Sequence, residues 1–392
     1  MQYKITIFTS ANLTYWAGVE KAIYYYCLYS PDDFKIKIIN NPYTSKINIP
    51  LESIGAIFPK ADIVELDLKK WKMSSNYPRL SNFFLRTVVL ERILISAETI
   101  KKRKEIKSVL ADTDLIYFIQ NPLSGLIHKK FKKPVIIGSE HVYDFYTLGQ
   151  KGIVKRMIFK LLIFGLLNHK IDKIHLISNA SFQIYRSNSR FFCVPNGVDT
   201  LRFYPSLQLQ SGKIKLLFAS RLEPAKGILD LLDAFSAIDS SNFDLYIVGN
   251  GSLLETIKRK KCENIHVLGF LEEDQLEGMF RTSDVLVFPT KAESFPLVVL
   301  EALSAGLYVM TTDILREKFK DFEELESINF VSADKHGIMN GIRSIASNID
   351  YIRNLGRKKK AHEFMEKNYD WKVVVDMLYC NFRSFIDESG TS

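Results

Sequence analysis

The sequence predicts an α/β protein built from two doubly wound domains. Short runs of β-branched and aromatic residues alternate with longer helical patterns along the chain, which is typical of βα units on parallel sheets. A break falls near residues 195–213, where the turn sequence Pro195-Asn196-Gly197 is followed by a polar stretch without apolar periodicity. With 392 residues, the chain is long enough for two domains of ordinary size.

The individual elements follow from the same alternation. In the first half the predicted strands are Tyr3–Phe8, Lys35–Ile39, Leu115–Ile119, Pro134–Gly138 and Lys173–Ile177. In the second half they are Ile214–Ala219, Phe243–Val248, His266–Leu268, Val285–Phe288 and Tyr308–Thr311. The predicted helices are Val19–Leu28, Ser81–Val109, Ile228–Ala237, Asp274–Thr282 and Pro296–Ala305. Such sheets bind ligands at the carboxyl ends of their strands, and two of them face to face make a cleft.

The composition excludes several classes of protein. The chain is 47% hydrophobic and 25% charged, as ordinary globular proteins are, and this excludes disordered and collagen-like chains. Its four cysteines are widely spaced without a CxxC pair, so we expect neither a disulfide framework nor a zinc site, in a reducing compartment. The most apolar stretch, Met157–Leu167, is interrupted by Lys160 and is shorter than the roughly 20 residues of a membrane span. We therefore expect a soluble, cytoplasmic protein without a targeting segment.

The net charge of +9 is divided unevenly between the two halves. Residues 1–200 carry 29 basic and 16 acidic residues, a balance of +13, whereas residues 201–392 carry 24 and 28, a balance of −4. A basic half joined to a mildly acidic half indicates two domains with different partners. No nucleic-acid motif accompanies the basic residues, so we expect no nucleic-acid partner.

The sharpest chemical signal lies in residues 284–306. An apolar strand ends at Pro289, a short loop holds Glu293, and a helix begins near Pro296 and carries Glu301. Helix N-termini bind phosphate through unpaired N–H groups and a partial positive charge. Pro296 suits the first helical position, where its missing N–H costs nothing. The two glutamates are candidates for binding ligand hydroxyls, the alternative being a helix-dipole partner and a solvated surface residue.

Two further loops follow strands of the second half. Arg221 and Lys226 come directly after the strand Ile214–Ala219, where cations are placed to bind a diphosphate. Gly249 lies in the sequence Val248-Gly-Asn-Gly-Ser252, a strand-to-helix glycine turn that is weak evidence by itself.

Six motifs occur in an order that resembles the retaining glycosyltransferases of family 4, which have the GT-B fold of two Rossmann-like domains facing each other across a cleft. The motifs are PNGVD (195–199), SRLEPAKG (220–227), IVGNGS (247–252), LGFL (268–271), SDVLVFPT (283–290) and ESFPLVVLEALSAG (293–306). The resemblance is strong over about 195–311, weaker over the first half, and returns at Asn368-Tyr-Asp-Trp371.

The resemblance implies a division of labour. Residues 1–195 are expected to form the acceptor-side domain, with a C-terminal helix of about 371–388 packed on it. Residues 196–212 are then a linker, and 213–370 bind the nucleotide sugar. Arg221 and Lys226 would neutralise the diphosphate, Glu301 would bind the ribose and Glu293 the donor sugar. Further donor contacts are expected at Gly249 and at the backbone amides of Phe295, Pro296 and Leu297, although proline at 296 lacks the N–H of the usual glycine.

Two more site residues are implied in the first half. Gly18 follows the first strand and resembles the glycine loop that passes the donor phosphates. His141 follows the strand Pro134–Gly138 and matches a histidine near the reacting sugar. The catalytic set implied is thus Arg221, Lys226, Glu293 and His141, without a metal ion or cofactor. The family retains the anomeric configuration, and the resemblance favours front-face attack.

The surplus of basic residues points to the acceptor. Leu68–Lys107 and Lys151–Lys170 interleave lysine and arginine with aromatic and aliphatic residues. We expect these stretches to contact an anionic membrane surface and a glycan or lipid-phosphate-linked acceptor, the alternative being solvated helix faces. Two other functions stay open: a nucleotide-sugar 2-epimerase of the same fold, and a non-catalytic protein that binds nucleotide sugars or glycans.

Overall fold

The structure of the chain is a computed structural model that describes residues 2–9, 13, 18–40, 57–58, 60–65, 104, 108–119, 135–139, 172–208, 211–259 and 263–390. The chain divides into two units. The first comprises Met1–Val194 together with Val375–Ser392, and the second comprises Pro195–Val374. Each unit is built on one parallel β-sheet.

The elements among the described residues alternate as the sequence predicts. The strands are β1 (Tyr3–Thr9), β2 (Phe34–Asn40), β3 (Ala61–Glu65), β4 (Leu115–Ile119), β5 (Val135–Ser139), β6 (Lys173–Leu176), β7 (Phe191–Cys193), β8 (Ile214–Ala219), β9 (Phe243–Val248), β10 (Ile265–Gly269), β11 (Val285–Phe288), β12 (Tyr308–Thr312) and β13 (Ile328–Val331). The helices are α1 (Gly18–Leu28), α2 (Asn179–Tyr185), α3 (Ile228–Phe235), α4 (Leu254–Lys258), α5 (Glu273–Thr282), α6 (Leu297–Ser304), α7 (Lys335–Ser347), α8 (Ile349–Arg353), α9 (Leu355–Tyr369) and α10 (Trp371–Gly390).

Both sheets have the strand order of a doubly wound fold. The first runs β3-β2-β1-β4-β5-β6-β7 and the second β10-β9-β8-β11-β12-β13, and every pairing is parallel. In each sheet the order reverses once, between β1 and β4 and between β8 and β11. The predicted α/β class with two doubly wound units is confirmed.

The degree of burial explains which strands can be predicted from the sequence. All residues of β4 and β11 are buried, because a parallel sheet covered on both faces selects a continuous apolar run. The strands β3, β7 and β13 are not predicted from the sequence. The first two are the edges of the first sheet, and β13 is one edge of the second. Every residue of β13 is only half buried, so its sequence carries a weaker apolar signal.

The residues expected as a linker, 196–212, belong to the second unit. Phe203 is buried and its ring meets Phe280 edge-on, with the centroids 5.2 Å apart. The Arg202 guanidinium donates hydrogen bonds of 2.6 Å to Glu273 and to Glu277 of α5. Through Phe203 and Arg202 this stretch therefore packs against α5 within the second unit.

The C-terminal helix α10 begins in the second unit and belongs to the first from Val375 onward. In the first unit the hydroxyl of Tyr379 donates to the carbonyl oxygen of Tyr26 at 2.9 Å. The Arg383 guanidinium forms a two-point contact with Asp33, at 2.8 and 2.9 Å, and holds the pKa of that carboxyl below its usual range. This helix therefore closes the core of a unit whose other residues lie at the opposite end of the chain.

Among the residues that the structure describes, there is neither a membrane-spanning helix nor a disulfide bond. No helix there has both the length and the apolar character needed to cross a bilayer. The cysteines there, Cys27, Cys193 and Cys380, are not in disulfides, and burial raises the pKa of the Cys27 thiol to about 12.

Candidate functional site

The candidate site lies at the carboxyl ends of β8 and β11 in the second unit. These strands pair directly, Leu216 with Val285 and Leu217 with Leu286, and the strand order reverses between them. The loops that follow, residues 220–227 and 289–296, therefore leave the sheet side by side. This reversal is where doubly wound sheets bind their ligands.

The first loop requires glycine where it turns into α3. Pro224–Lys226 form a single 3₁₀ turn, and Gly227 has a left-handed φ of 74°. A Cβ at Gly227 would come within 1.9 Å of the carbonyl oxygen of Pro289, at the end of β11. The N–H of Lys291 in turn donates to the carbonyl oxygen of Ala225 at 2.8 Å. The two loops are thus held in backbone contact.

That contact brings Lys226 and Glu293 together. The Lys226 ammonium contacts the Glu293 carboxylate, and the two side chains are only 11% and 21% exposed. Because both are largely removed from water, their interaction is screened less than a surface ion pair. Arg221 is exposed and lies in the same loop as Lys226, between β8 and the 3₁₀ turn.

A third loop, after β9, is fastened to the first. Gly249 has a φ of 136°, and a Cβ there would lie 1.9 Å from the carbonyl oxygen of Ser220. The Glu223 carboxylate accepts hydrogen bonds from the hydroxyl of Ser252 at 2.7 Å and from its N–H at 3.1 Å. These bonds lower the pKa of Glu223. No role for Glu223 or Ser252 is predicted from the sequence, because the two residues are 29 positions apart and meet only in the folded chain.

The helix α6 begins one residue later than expected. Pro296 was predicted at the first helical position, but its ψ of 126° is extended and makes it the N-cap, so Leu297 is the first helical residue. Glu301 lies within α6 and is 8% exposed, which contradicts the alternative that it is a solvated surface residue.

The main chain before α6 is held at two carbonyl groups. The carbonyl oxygen of Glu293 accepts from the Lys318 ammonium, and that of Phe295 accepts from the side-chain amide of Asn196 at 2.9 Å. The Phe295 ring stacks on Phe319, with centroids 4.8 Å apart and planes 11° apart. Lys318 is not predicted from the sequence, because its segment alternates charged and apolar residues as a solvated surface does. Asn196 is predicted only as part of a turn.

Other predicted residues belong to the first unit. Gly18 is exposed and is the first residue of α1 in the first unit. His141 lies outside the described residues, as do Lys151–Lys170 and all of Leu68–Lys107 except Lys104. Within the described ranges, no three histidine, cysteine or acidic side chains are grouped as metal ligands.

The arrangement suits an anionic ligand that also carries hydroxyl groups. Lys226 supplies positive charge before the N-terminus of α6, where backbone N–H groups lack intrahelical partners, and Arg221 adds a cation in the same loop as Lys226. In the described part of the chain, the N–H groups of Ser294 and Phe295 donate no hydrogen bond. Glu293 and Glu301 supply carboxylates that can accept from hydroxyl groups.

Comparison with known sequences finds matches within the second unit. Residues 201–362 match the sequence model of the family described as glycosyl transferases group 1. A phosphatidyl-myo-inositol mannosyltransferase of Mycobacterium tuberculosis is 28% identical over 198 residues, which cover 47% of this chain and 52% of the relative. A glycogen synthase of the same species is 24% identical over 189 residues, 46% of this chain and 45% of the relative. The chain thus matches about half the length of these relatives.

Comparison with solved structures covers nearly the whole chain. Sucrose-phosphate synthase from Thermosynechococcus elongatus superposes with a TM-score of 0.75 at 16% identity, covering 99% of this chain and 100% of the other. HepE from Anabaena, solved with UDP, superposes with a TM-score of 0.67 at 15% identity, covering 97% and 100%. At these identities the likeness shows the fold, which is GT-B.

Proposed function

We propose that this chain, whose residues 201–362 belong to the group 1 glycosyl transferases, moves a hexose-type sugar from a nucleoside diphosphate sugar to a hydroxyl group of an acceptor and retains the anomeric configuration. The observation that carries the proposal is the contact of Lys226 with Glu293 beside the N-terminus of α6. It places a cation and a hydroxyl-binding carboxylate within one small site.

The reaction breaks the bond between the anomeric carbon and the diphosphate oxygen, and the electron pair stays on the diphosphate. Lys226, Arg221 and the backbone N–H groups before α6 stabilise the charge that grows there, as preorganised donors do in other enzymes. The acceptor hydroxyl attacks from the face that the diphosphate leaves, and a diphosphate oxygen takes its proton. Glu301 binds the ribose hydroxyls and Glu293 the donor sugar. No metal ion takes part in this scheme.

The proposed acceptor is a glycan or a lipid-phosphate-linked molecule. One matching relative is named a phosphatidyl-myo-inositol mannosyltransferase, which is a name for an enzyme with an anionic lipid acceptor. The balance of +13 in residues 1–200 supports the same class of acceptor. On this proposal the chain works in the cytoplasm, at the anionic inner face of the membrane.

The first experiment is a thermal-shift screen over UDP, GDP, ADP and their sugars. A ligand at 100 times its dissociation constant should stabilise the protein by about 2.7 kcal/mol. We expect one base to be preferred, and UDP is the first candidate because it is bound in the HepE structure. Absence of any shift, with no nucleotide bound in equilibrium dialysis, would overturn the proposal.

The second experiment separates transfer from the two alternatives. A transferase releases nucleoside diphosphate in proportion to added acceptor. A 2-epimerase would convert the donor sugar without an acceptor, and a binding protein would bind nucleotide sugars without consuming them over a broad acceptor panel.

A further inference from the structure

Lys318 is a buried lysine that faces the candidate site. It lies in the 3₁₀ segment Asp313–Leu325 and is 4% exposed, whereas Arg316 and Lys320 of the same segment are exposed. A buried ammonium is costly unless it is hydrogen-bonded. The Lys318 ammonium donates to the backbone carbonyl oxygen of Glu293.

The local backbone places this lysine inward together with its neighbour. The 3₁₀ segment is interrupted at Phe319, whose φ of −110° and ψ of 22° are not helical. Phe319 is buried and stacks on Phe295, two residues beyond the carbonyl group that Lys318 contacts. Both residues therefore hold the loop before α6. Lys318 does so through its charged ammonium group, and Phe319 through its aromatic ring.

The contact with the Glu293 carbonyl has a consequence for the next residue. No peptide bond in the described residues is cis, so the C=O of Glu293 and the N–H of Ser294 point in opposite directions within one plane. An ammonium on the oxygen therefore directs the Ser294 N–H away from Lys318. It also polarises the peptide and strengthens that N–H as a donor. Among the described residues this N–H has no acceptor.

We propose that Lys318 is a positioning residue, which fixes the Glu293–Ser294 peptide so that the Ser294 N–H donates to the anionic diphosphate sugar and the Glu293 side chain lies beside Lys226 before the donor binds. The inference rests on the proposed function. In this role the Lys318 ammonium acts on the donor through the Glu293–Ser294 peptide and does not contact the donor itself.

The test compares three variants of the full chain. Lys318→Met keeps the length of the side chain and removes the charge, Lys318→Arg keeps the charge, and Lys320→Met is the matched control on the exposed face. Each is assayed for melting temperature, for UDP affinity by calorimetry, and for kcat and KM of nucleotide-sugar consumption well below its melting temperature. If Lys318→Met does not fold, Lys318→Gln, which removes the charge and shortens the side chain, takes its place, and the same loss in kcat is expected of it.

The expected result is a loss in kcat of about 100-fold for Lys318→Met, the size produced by misplacing reacting groups by roughly 1 Å. Lys318→Arg should recover most of that loss, and Lys320→Met should match the wild type. A lower melting temperature with unchanged kcat and KM would make Lys318 merely structural and overturn the inference. A wild-type chain that neither binds nucleotides nor consumes any donor would overturn the proposed function, and this inference with it.

Discussion

The ammonium of Lys226 and the carboxylate of Glu293 contact each other across 67 positions of sequence, at the point where an anionic donor is proposed to bind. On the proposed function, the pair neutralises the cation that would bind the diphosphate. A bound diphosphate would then compete with Glu293 for Lys226, and the released carboxylate would become available to the hydroxyl groups of the donor sugar.

Replacing Glu293 by glutamine should strengthen the binding of UDP while lowering transfer. The amide has no charge to compete with the diphosphate, and releasing a partly buried cation from its partner is worth about 1 kcal/mol, or roughly fivefold in affinity. Calorimetry with UDP measures the affinity, and the exposed Glu366→Gln is the control. Weaker binding of UDP to Glu293→Gln than to the wild type would show that the pair does not compete with the ligand.

Lys226→Ala should lower turnover by about 100-fold to 1,000-fold, the typical cost of removing one preorganised charge-stabilising donor. The fold should persist, because the backbone contacts of the loop do not involve this side chain. Initial rates of nucleotide release report the loss, and circular dichroism reports the fold. Lys359→Ala, at an exposed lysine of α9, is the control. A near-wild-type rate for Lys226→Ala would refute the assignment.

Glu301→Gln should separate ribose binding from phosphate binding. If Glu301 accepts hydrogen bonds from the ribose hydroxyls, the variant loses affinity for UDP by about 1.5–3 kcal/mol, the usual range for a hydrogen bond to a charged group. Its affinity for inorganic pyrophosphate should stay unchanged, because that ligand has no ribose. Equal losses for both ligands in parallel titrations would instead place Glu301 against the phosphates.

Gly227→Ala should destabilise the protein by about 1–3 kcal/mol, since alanine would be held in a left-handed conformation. Its Cβ would also approach the Pro289 carbonyl oxygen to 1.9 Å, so the two loops must separate and UDP affinity should fall. Gly278→Ala in α5 is the matched control: its Cβ meets nothing within 4 Å, and a helical alanine is favoured by roughly 0.5–1 kcal/mol. Urea unfolding measures the free energy of unfolding of both variants. Equal values for Gly227→Ala and Gly278→Ala would contradict the steric argument.

The chain should bind anionic liposomes, and binding should weaken as salt rises. Each basic residue near such a surface contributes about 1 kcal/mol, and the first 200 residues have a surplus of 13 positive charges. Co-sedimentation with vesicles of neutral and of anionic lipid, at low and at high salt, measures the effect. Equal sedimentation with both kinds of vesicle at low salt would exclude the proposed membrane contact.

The strands that the sequence predicts well are those with the strongest local signal. The runs of β8 and β11 are apolar because both faces of a parallel sheet are covered, and their bounds were predicted to the residue. The edge strand β13 is only half buried, so no comparable apolar signal marks it. The N-cap position of Pro296 was missed by one residue because proline is compatible with both the N-cap and the first helical position.

The loops after β8, β9 and β11, with Arg221, Lys226, Gly249, Glu293 and Glu301, could be identified from the sequence because strand ends and helix starts are local features. The partners of these residues could not. Whether Lys226 meets Glu293, whether Lys318 reaches the Glu293 carbonyl, and whether Asn196 reaches Phe295 depend on which strands are neighbours. The sequence by itself determined the fold class and which charged and polar side chains follow the strands. Only the tertiary structure decided which of these side chains contact one another, because hydrogen bonds and ion pairs form over about 3 Å between residues that are far apart along the chain.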